Sequence, residues 1–337
     1  MPLNVIMYHY IRNNEEYEYD VFCRRRDEFV AQVNWLAKAG SIVSIEDCEK
    51  IEYFSRTEQN GFLLTFDDGY KDHLWCGKYL HSIGLSGTFF PSVNCLTGQL
   101  LDVNKIHLIL GNKSLCNVHH KALEIIRTLL NSNPNIYLSR SGLQKDSIEL
   151  DSYLASQQRN RYDSNICTSI KHVLQRDLYP TPFRTSVIDA IFFELYNNIC
   201  STIADSFYLN IGDLLDLKSM GMTIGSHGMT HCWLETLEIV DQEYEIIESF
   251  AFLQHTGAID KSSVKCLCFP YGSFNNKTLN IMKSCKIDYG FTTQSGAISK
   301  EHLASKEALP RWDTNDWWCD QYRKPCFSYK KGANAKN

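Results

Sequence analysis

Asn60-Gly61-Phe62-Leu63-Leu64-Thr65-Phe66-Asp67-Asp68-Gly69 decides how the rest of the chain is read. A turn pair opens onto an unbroken run of apolar and β-favouring residues, and the run closes on two adjacent carboxylates and a glycine. Apolarity without alternation predicts a strand covered on both faces, as in a parallel sheet flanked by helices. Neighbouring aspartates at the end of such a strand repel one another unless a cation or a proton is present. The pair therefore predicts either a metal ion or a raised pKa.

The flanking sequence continues this grammar. Residues 3–7 read as a short buried strand that delivers Tyr8 and His9 to its end. Phe29, Val33, Leu36 and Ala37 fall on one face of a helix over 27–39, opened by Asp27 and closed by Gly40, and a strand over 42–45 follows. Beyond the aspartates come a helix over 72–83 and a strand over 86–91. That helix carries His73 and His81, both read as surface residues, with His73 near enough to Asp68 to matter. Further on, Asn210 caps a helix that ends at Gly221. Strands over 222–226, 264–269, 289–292 and 307–309 then alternate with helices over 237–254 and 277–285. Strand–helix alternation predicts an α/β domain. From 94 to 208 the pattern changes to helical stripes, notably over 118–130 and 187–204, with no clear strand. The expected organisation is a domain in two parts, 1–93 and 209–325, split by an all-helical insertion over 94–208 and followed by a flexible tail over 326–337.

Composition narrows the class of function. The 337 residues are 44% hydrophobic and 22% charged with a formal net charge of −5, which leaves no basic footprint for nucleic acid. Arg24-Arg25-Arg26, the one tight basic run, reads as a solvated turn. No apolar run reaches membrane-spanning length, and the first residues lack a basic leader and a cleavage site, so a cytoplasmic protein is expected. The thirteen cysteines are odd in number, scattered and without a Cys-x-x-Cys pair. That argues against a disulfide framework or a cysteine zinc site and suits a reducing compartment. The sequence does not fix an oligomeric state.

Each unusual polar cluster follows a predicted strand: Tyr8-His9, Asp67-Asp68, His227 with His231, Pro270-Tyr271-Gly272, and residues 311–317. In a parallel α/β barrel the carboxyl ends of all strands share one face, so these clusters converge in space. His-x-x-x-His lets two imidazoles reach one ion if the segment is helical or tightly turned, and one carboxylate completes an open three-ligand site for a divalent metal. The second aspartate is then free to take a proton from metal-bound water.

Thr65-Phe66-Asp67-Asp68-Gly69, Ser226-His227-Gly228-Met229-Thr230-His231 and Phe269-Pro270-Tyr271-Gly272 resemble the first three motifs of the polysaccharide deacetylases, the NodB-homology family. Met7-Tyr8-His9 and Gly87-Thr88-Phe89-Phe90 are similar to its flanking pattern. The resemblance implies a distorted (β/α) barrel, interrupted here by the helical insertion, and metal-dependent removal of N-acetyl groups from sugars. It makes Asp67 the general base, Asp68, His227 and His231 the metal ligands, and the Tyr271 backbone N–H an oxyanion donor beside Pro270. Zinc is the first choice of metal, with cobalt, nickel or iron(II) as alternatives.

Two departures from the family pattern matter. Many members place an arginine two residues before the proline of the third motif to tether the base; here that residue is Cys268, and Arg311, after the last strand, is the candidate substitute. Asp313-Thr314-Asn315-Asp316-Trp317 resembles the fourth motif, which makes Asp313 and Trp317, with Pro270 of the third motif, candidates for the substrate pocket. The family's late histidine, its general acid, has no counterpart, since no histidine follows His302. His9 is the candidate replacement, and Asp67 returning its proton is the competing route.

The sequence thus predicts a metal-dependent carbohydrate N-deacetylase acting on an intracellular glycan or sugar intermediate, with metal-bound water as nucleophile. Its rivals are another acyl hydrolase on the same fold, a deformylase or esterase, and a catalytically silent carbohydrate-binding relative.

Overall fold

The computed structural model describes residues 3–13, 23–47, 60–111, 117–139, 147–157, 164–196 and 200–316. In chain order its strands are β1 (Leu3–Tyr8), β2 (Ser41–Ile42), β3 (Gly61–Asp67), β4 (Thr88–Phe90), β5 (Tyr137–Leu138), β6 (Leu178–Tyr179), β7 (Thr223–Ile224), β8 (Cys266–Cys268), β9 (Tyr289–Phe291) and β10 (Trp312–Asp313). The run that ends in the two aspartates is β3, buried along its whole length. It pairs in parallel with β1, β2 and β4 in a sheet ordered β10-β1-β3-β4-β7. Single parallel bridges carry the strands further round. Ser226, just past β7, meets Leu267 of β8, β8 pairs with β9, and Phe291 of β9 meets Leu309, four residues before the end of β10 on the other side of β1. The result is the distorted, mainly parallel α/β arrangement that the sequence predicts.

The register explains why β3 shows no alternation. Tyr8, Phe66 and Phe89 are cross-strand neighbours, and Phe66 stacks between the other two at ring distances of 5.3 and 4.4 Å. With Ile6, Phe62 and Leu64 they pack against the helix layer, which includes Phe29 and Leu80. The alternate row, Leu3, Val5 and Leu63, joins Phe90, Cys266, Cys268, Phe291 and Leu309 in a second core inside the strands. Both faces are apolar because both are buried, each in a different core. Asp67 continues the row of Leu63 and Thr65, so its carboxylate is delivered to the mouth of the inner core.

Between β4 and β7 helices dominate, among them Val93–Leu96, Asp102–Leu110, Val118–Ser132, Leu150–Ser156 and Asn165–His172. The expectation of no strand in this region is corrected by β5 and β6, an antiparallel pair of two residues each, too short to carry a period. The helix expected over 187–204 is two helices, Thr181–Tyr196 and Cys200–Phe207. The strand expected over 42–45 is reduced to β2, with Val43 adding one hydrogen bond to Phe62, and that over 307–309 to the single bridge at Leu309. The helix expected to begin at Asp27 starts at Arg26, where the Arg25 N–H donates to the Glu28 carboxylate. Asn210 does cap its helix, Ile211–Ser219, with a reciprocal bond to Asp213.

Two surface assignments fail. Arg24 is buried, donating to the Thr314 carbonyl and the Asn315 side chain, so the basic run partly anchors the segment after β10. His73 is buried too, with Nε2 at 2.9 Å from the His9 carbonyl, and burial lowers its pKa to about 4. The segment expected as a tail, 326–337, lies outside the described residues. Among the described residues no helix is long and apolar enough to cross a membrane.

Candidate active site

Asp68, His227 and His231 come together although 159 residues separate the first two. Asp68 Oδ1 lies 3.3 Å from His227 Nε2 and 3.1 Å from His231 Nε2, and all three side chains are buried. The backbone is bent to achieve this. Of the five described non-glycine residues with positive φ, three are Asp68 (72°), His231 (60°) and Tyr271 (58°). Side chains other than glycine rarely adopt this region, and such strain concentrates where a site requires it. The His227–His231 segment is a tight turn rather than a helix.

That turn is held from outside by Glu245, on the helix Ile239–His255. Its carboxylate accepts from the N–H groups of Met229 and Thr230 at 2.8 and 3.0 Å and from the Thr230 hydroxyl at 2.7 Å. Gly228, at φ 75°, faces the same carboxylate, and a Cβ there would sit 2.9 Å from Oε2. Sequence reading did not single out Glu245, because nothing in a helical charge pattern marks one glutamate as serving a distant turn.

His227 is oriented by the neighbouring strand. Its Nδ1–H donates to the Cys268 carbonyl at 2.8 Å, which turns Nε2 towards Asp68. Asp68 Oδ1 has no hydrogen bond in the protein, although it is buried. Burial alone would raise the Asp68 carboxyl, but His231 and His227 outweigh it and hold the group well below the usual carboxylate range. A buried carboxylate oxygen without a donor, facing two imidazole Nε2 atoms, is the donor set of a divalent metal site with hard oxygen and borderline nitrogen ligands. These residues fit the group that the sequence predicts.

The other oxygen of Asp68 leads away from the strands. Oδ2 accepts from the Tyr70 hydroxyl at 2.6 Å, and Asn104 donates through Nδ2 to both Tyr70 and Tyr10, each at 2.8 Å. The carbonyl of Asn104 accepts from Tyr208, whose hydroxyl in turn accepts from the Leu101 N–H. Tyr10 donates to His107 Nδ1 at 3.0 Å; burial drops His107 to about 3, so its ring is neutral and able to accept. Asn104 and His107 lie on the helix Asp102–Leu110, inside the segment expected as an insertion. This network too was invisible in the sequence, since its members are ordinary aromatic and amide residues far apart in the chain.

Asp67 has a different setting. Arg311 donates from Nη1 to Oδ1 and from Nη2 to Oδ2, both at 2.8 Å, a bidentate pair with both side chains buried. Arg311 is itself fixed by the Thr292 carbonyl at 2.9 Å, by Thr65 Oγ1 at 3.2 Å and by the Cys268 sulfur at 3.1 Å. Burial would raise the Asp67 carboxyl, but Arg311 outweighs it and keeps the group below its ordinary value. Cys268 thus stands beside the base with its thiol 3.4 Å from Oδ2, and the guanidinium reaches the base from the strand side instead.

His9 Nε2 lies 3.9 Å from Asp67 Oδ2 with its side chain 39% exposed, at the solvent edge of the site. Pro270 is buried at the start of a tight turn, Pro270–Gly272, whose middle residue is Tyr271. Tyr271 stacks on Trp233 at 5.0 Å and meets the edge of His231 at 4.7 Å. Asp313 is half-buried in β10, with Oδ1 accepting from the backbone and side chain of Asn315 at 2.7 Å. No contact of Asp313 with Asp67 or the histidines is seen among the described residues, and Trp317 lies outside them.

Residues 187–290 match the family described as polysaccharide deacetylase, a span that holds His227, His231 and Pro270-Tyr271-Gly272 but not the two aspartates. In structure the chain is similar to the Streptococcus pyogenes deacetylase PplD, solved in complex with acetate, at 15% identity over 93% of this chain and 92% of that one, with a TM-score of 0.52. It is also similar to a de-N-acetylase from Aggregatibacter actinomycetemcomitans, at 13% identity over 92% and 94% of the two chains and a TM-score of 0.50. At these identities the likeness is one of fold. No curated protein matches the chain by sequence. Residues 187–290 thus carry the polysaccharide deacetylase match, and the solved deacetylases share the fold of the chain.

Proposed function

We propose that this protein is a divalent-metal-dependent hydrolase that removes an N-acetyl group from a carbohydrate. The observation that carries this reading is Asp68 Oδ1, buried without a hydrogen bond and facing His227 and His231, with a second carboxylate held separately beside it. Asp68, His227 and His231 would hold the ion, with zinc as first choice and cobalt, nickel or iron(II) as alternatives. Bound there, a divalent metal acidifies water and polarises an acyl carbonyl.

The chain's own residues supply the remaining chemistry. Asp67 is ionised because Arg311 neutralises it, and its Oδ1 keeps a lone pair beyond the one that Arg311 uses, while Oδ2 also takes the Cys268 thiol. It can therefore accept the proton of the attacking water while Arg311 fixes its direction. The Tyr271 peptide N–H is assigned to the oxyanion of the tetrahedral intermediate. His9, at the solvent edge beside Asp67, is assigned to return a proton to the departing amine, with Asp67 itself as the competing donor. Pro270, Asp313 and Trp317 are assigned to the substrate pocket.

An intracellular glycan or sugar intermediate is the proposed substrate. The eight cysteines whose side chains are described are free thiols, which supports a reducing compartment. Metal analysis of the purified protein, joined to product analysis on N-acetylated sugars, tests the proposal. Acetate release that disappears with the metal is the expected result. Formate or an alcohol as product would identify a deformylase or an esterase instead, and sugar binding without turnover would identify a silent relative.

A further inference from the structure

A cavity of about 260 Å³ opens beside His231 and Tyr271. One wall is Thr230, His231, Cys232 and Tyr271; the other comes from the helical segment between β4 and β7 and includes Asp102, Lys105 and Arg184. Besides His231, those last three are its charged lining, and two of them cancel. Lys105 Nζ lies 3.0 Å from Asp102 and 2.6 Å from Asp189, while Asp102 also accepts from the Thr185 hydroxyl. Arg184 is left over. It is 6% exposed, and among the described residues its one hydrogen bond runs from Nη1 to the Arg176 carbonyl at 3.0 Å and no carboxylate lies within ion-pair distance of it.

A guanidinium has five N–H donors and keeps its charge, so burying one with a single neutral acceptor costs free energy that a partner would offset. Carbonyl support alone does not require arginine, since a lysine or glutamine could make that bond. Arg184 lines the same cavity as Tyr271 and Cys232, which lie on the metal-site wall. The unpaired charge therefore faces the space a sugar would occupy once its acetamido group had reached Asp68, His227 and His231.

We propose that the cavity receives an anionic group carried by the N-acetylated sugar, a phosphate or a carboxylate, and that Arg184 is its partner. The proposal rests on the deacetylase reading of the neighbouring site. Either oxyanion can accept a guanidinium fork, so the chemistry is shared and the source is decided by experiment.

The metal-loaded full chain is assayed for acetate release from N-acetylglucosamine, its 1-phosphate, and N-acetylmuramic acid as the carboxylate-bearing sugar. The expected kcat/KM for one of the two anionic sugars exceeds that for the neutral sugar by about tenfold or more, the scale of one charge-assisted hydrogen bond. The sugar that gains identifies the source of the anion. Arg184→Gln should reduce the ratio towards one, and Arg184→Lys, a point charge in place of a fork, should keep part of it. A wild-type ratio near one overturns the proposal without recourse to any variant, as does a ratio that Arg184→Gln leaves in place. Should none of the three sugars release acetate, the reading of the reaction fails, and calorimetric binding of the same sugars decides the anion proposal alone. Tighter binding of an anionic sugar that weakens about tenfold in Arg184→Gln supports it; equal binding of all three, or none, overturns it.

Discussion

Asp67 and Asp68 are adjacent in the chain, yet they belong to different halves of the molecule. Asp67 is fixed by the strands, with Arg311 on both oxygens, Cys268 beside it and Thr65 on the same guanidinium. Asp68 turns through a positive φ towards two histidines on one side and, on the other, towards Tyr70, Asn104, Tyr10 and Tyr208. One carboxylate is neutralised by a permanent cation, and the other leaves an oxygen free for a metal. The helical segment between β4 and β7 therefore supports the Oδ2 side of Asp68, while the strands support the base and orient His227. Deleting that segment would leave Tyr70 and Tyr10 without the amide that orders them. Such a deletion is expected to cost metal binding as well as activity, even on a small N-acetyl sugar.

The largest effects should fall on the strand side and leave the metal in place. Asp67→Asn removes the base but not the ligands, and turnover is expected to fall by about 10²–10⁴-fold while metal content measured by elemental analysis stays at the wild-type level. Full turnover in that variant would mean that Asp67 is not the base. Arg311→Met leaves a buried carboxylate without its cation, and unfolding in denaturant should show a loss of about 3–5 kcal/mol. The pH dependence has a definite sign. Arg311 holds Asp67 below its ordinary value, so the pair stabilises fully above a carboxylate's usual pKa of about 4 and loses that contribution as pH falls through the folded-state value. In Arg311→Met the largest counterweight to burial is lost from Asp67, and the acid limb of the kcat/KM profile should move to higher pH.

The contrast between the two aspartates also marks what could be read from the sequence. The apolar run before Asp67 and the His-x-x-x-His spacing name the metal residues, because strand ends in a parallel sheet share one face and the chemistry needs those residue types. Arg311 could be nominated from its position after the last strand. Its bidentate grip on Asp67 could not, since that depends on how the closing of the strands brings the segment between β9 and β10 to the end of β3. The opposite failure occurs at His73 and Arg24, read as surface residues: charged and polar side chains can be buried wherever a carbonyl or carboxylate meets them, and a one-dimensional pattern does not show the partner. Asn104 and Glu245 were missed for the same reason. Each acts through hydrogen bonds to residues distant in the chain, and neither belongs to a motif.

On the metal side, intermediate effects are expected. Asn104→Leu, close in volume but without the amide, leaves the Tyr70 hydroxyl free to rotate away from Asp68. Partners of this kind, which orient a metal ligand without touching the ion, are worth about 10–100-fold in metal affinity. Competition with a chelator should show that weakening, and turnover at saturating metal should fall less than in Asp67→Asn. Unchanged metal affinity would dissolve the link between the helical segment and the metal, and with it the division between the two carboxylates.

The mildest change tests the same side through its other anchor. Glu245→Gln keeps one oxygen and the side-chain length but loses the second acceptor and the charge. The N–H groups of Met229 and Thr230 both converge on Oε2, and the Thr230 hydroxyl on Oε1. A glutamine can place its oxygen at one of these positions and must present an NH₂ group at the other. With the oxygen towards the two N–H groups, only the hydroxyl bond has to reorganise, because a hydroxyl can accept as well as donate. Metal affinity should therefore fall by only a few-fold, about the scale of one net hydrogen bond. Glu245→Ala removes all three bonds that tie Met229 and Thr230 to the helix, so the turn that carries His231 should loosen and affinity should fall much further. Equal effects from the glutamine and alanine variants would show that charge, rather than the shape of the turn, is what Glu245 contributes to the histidines.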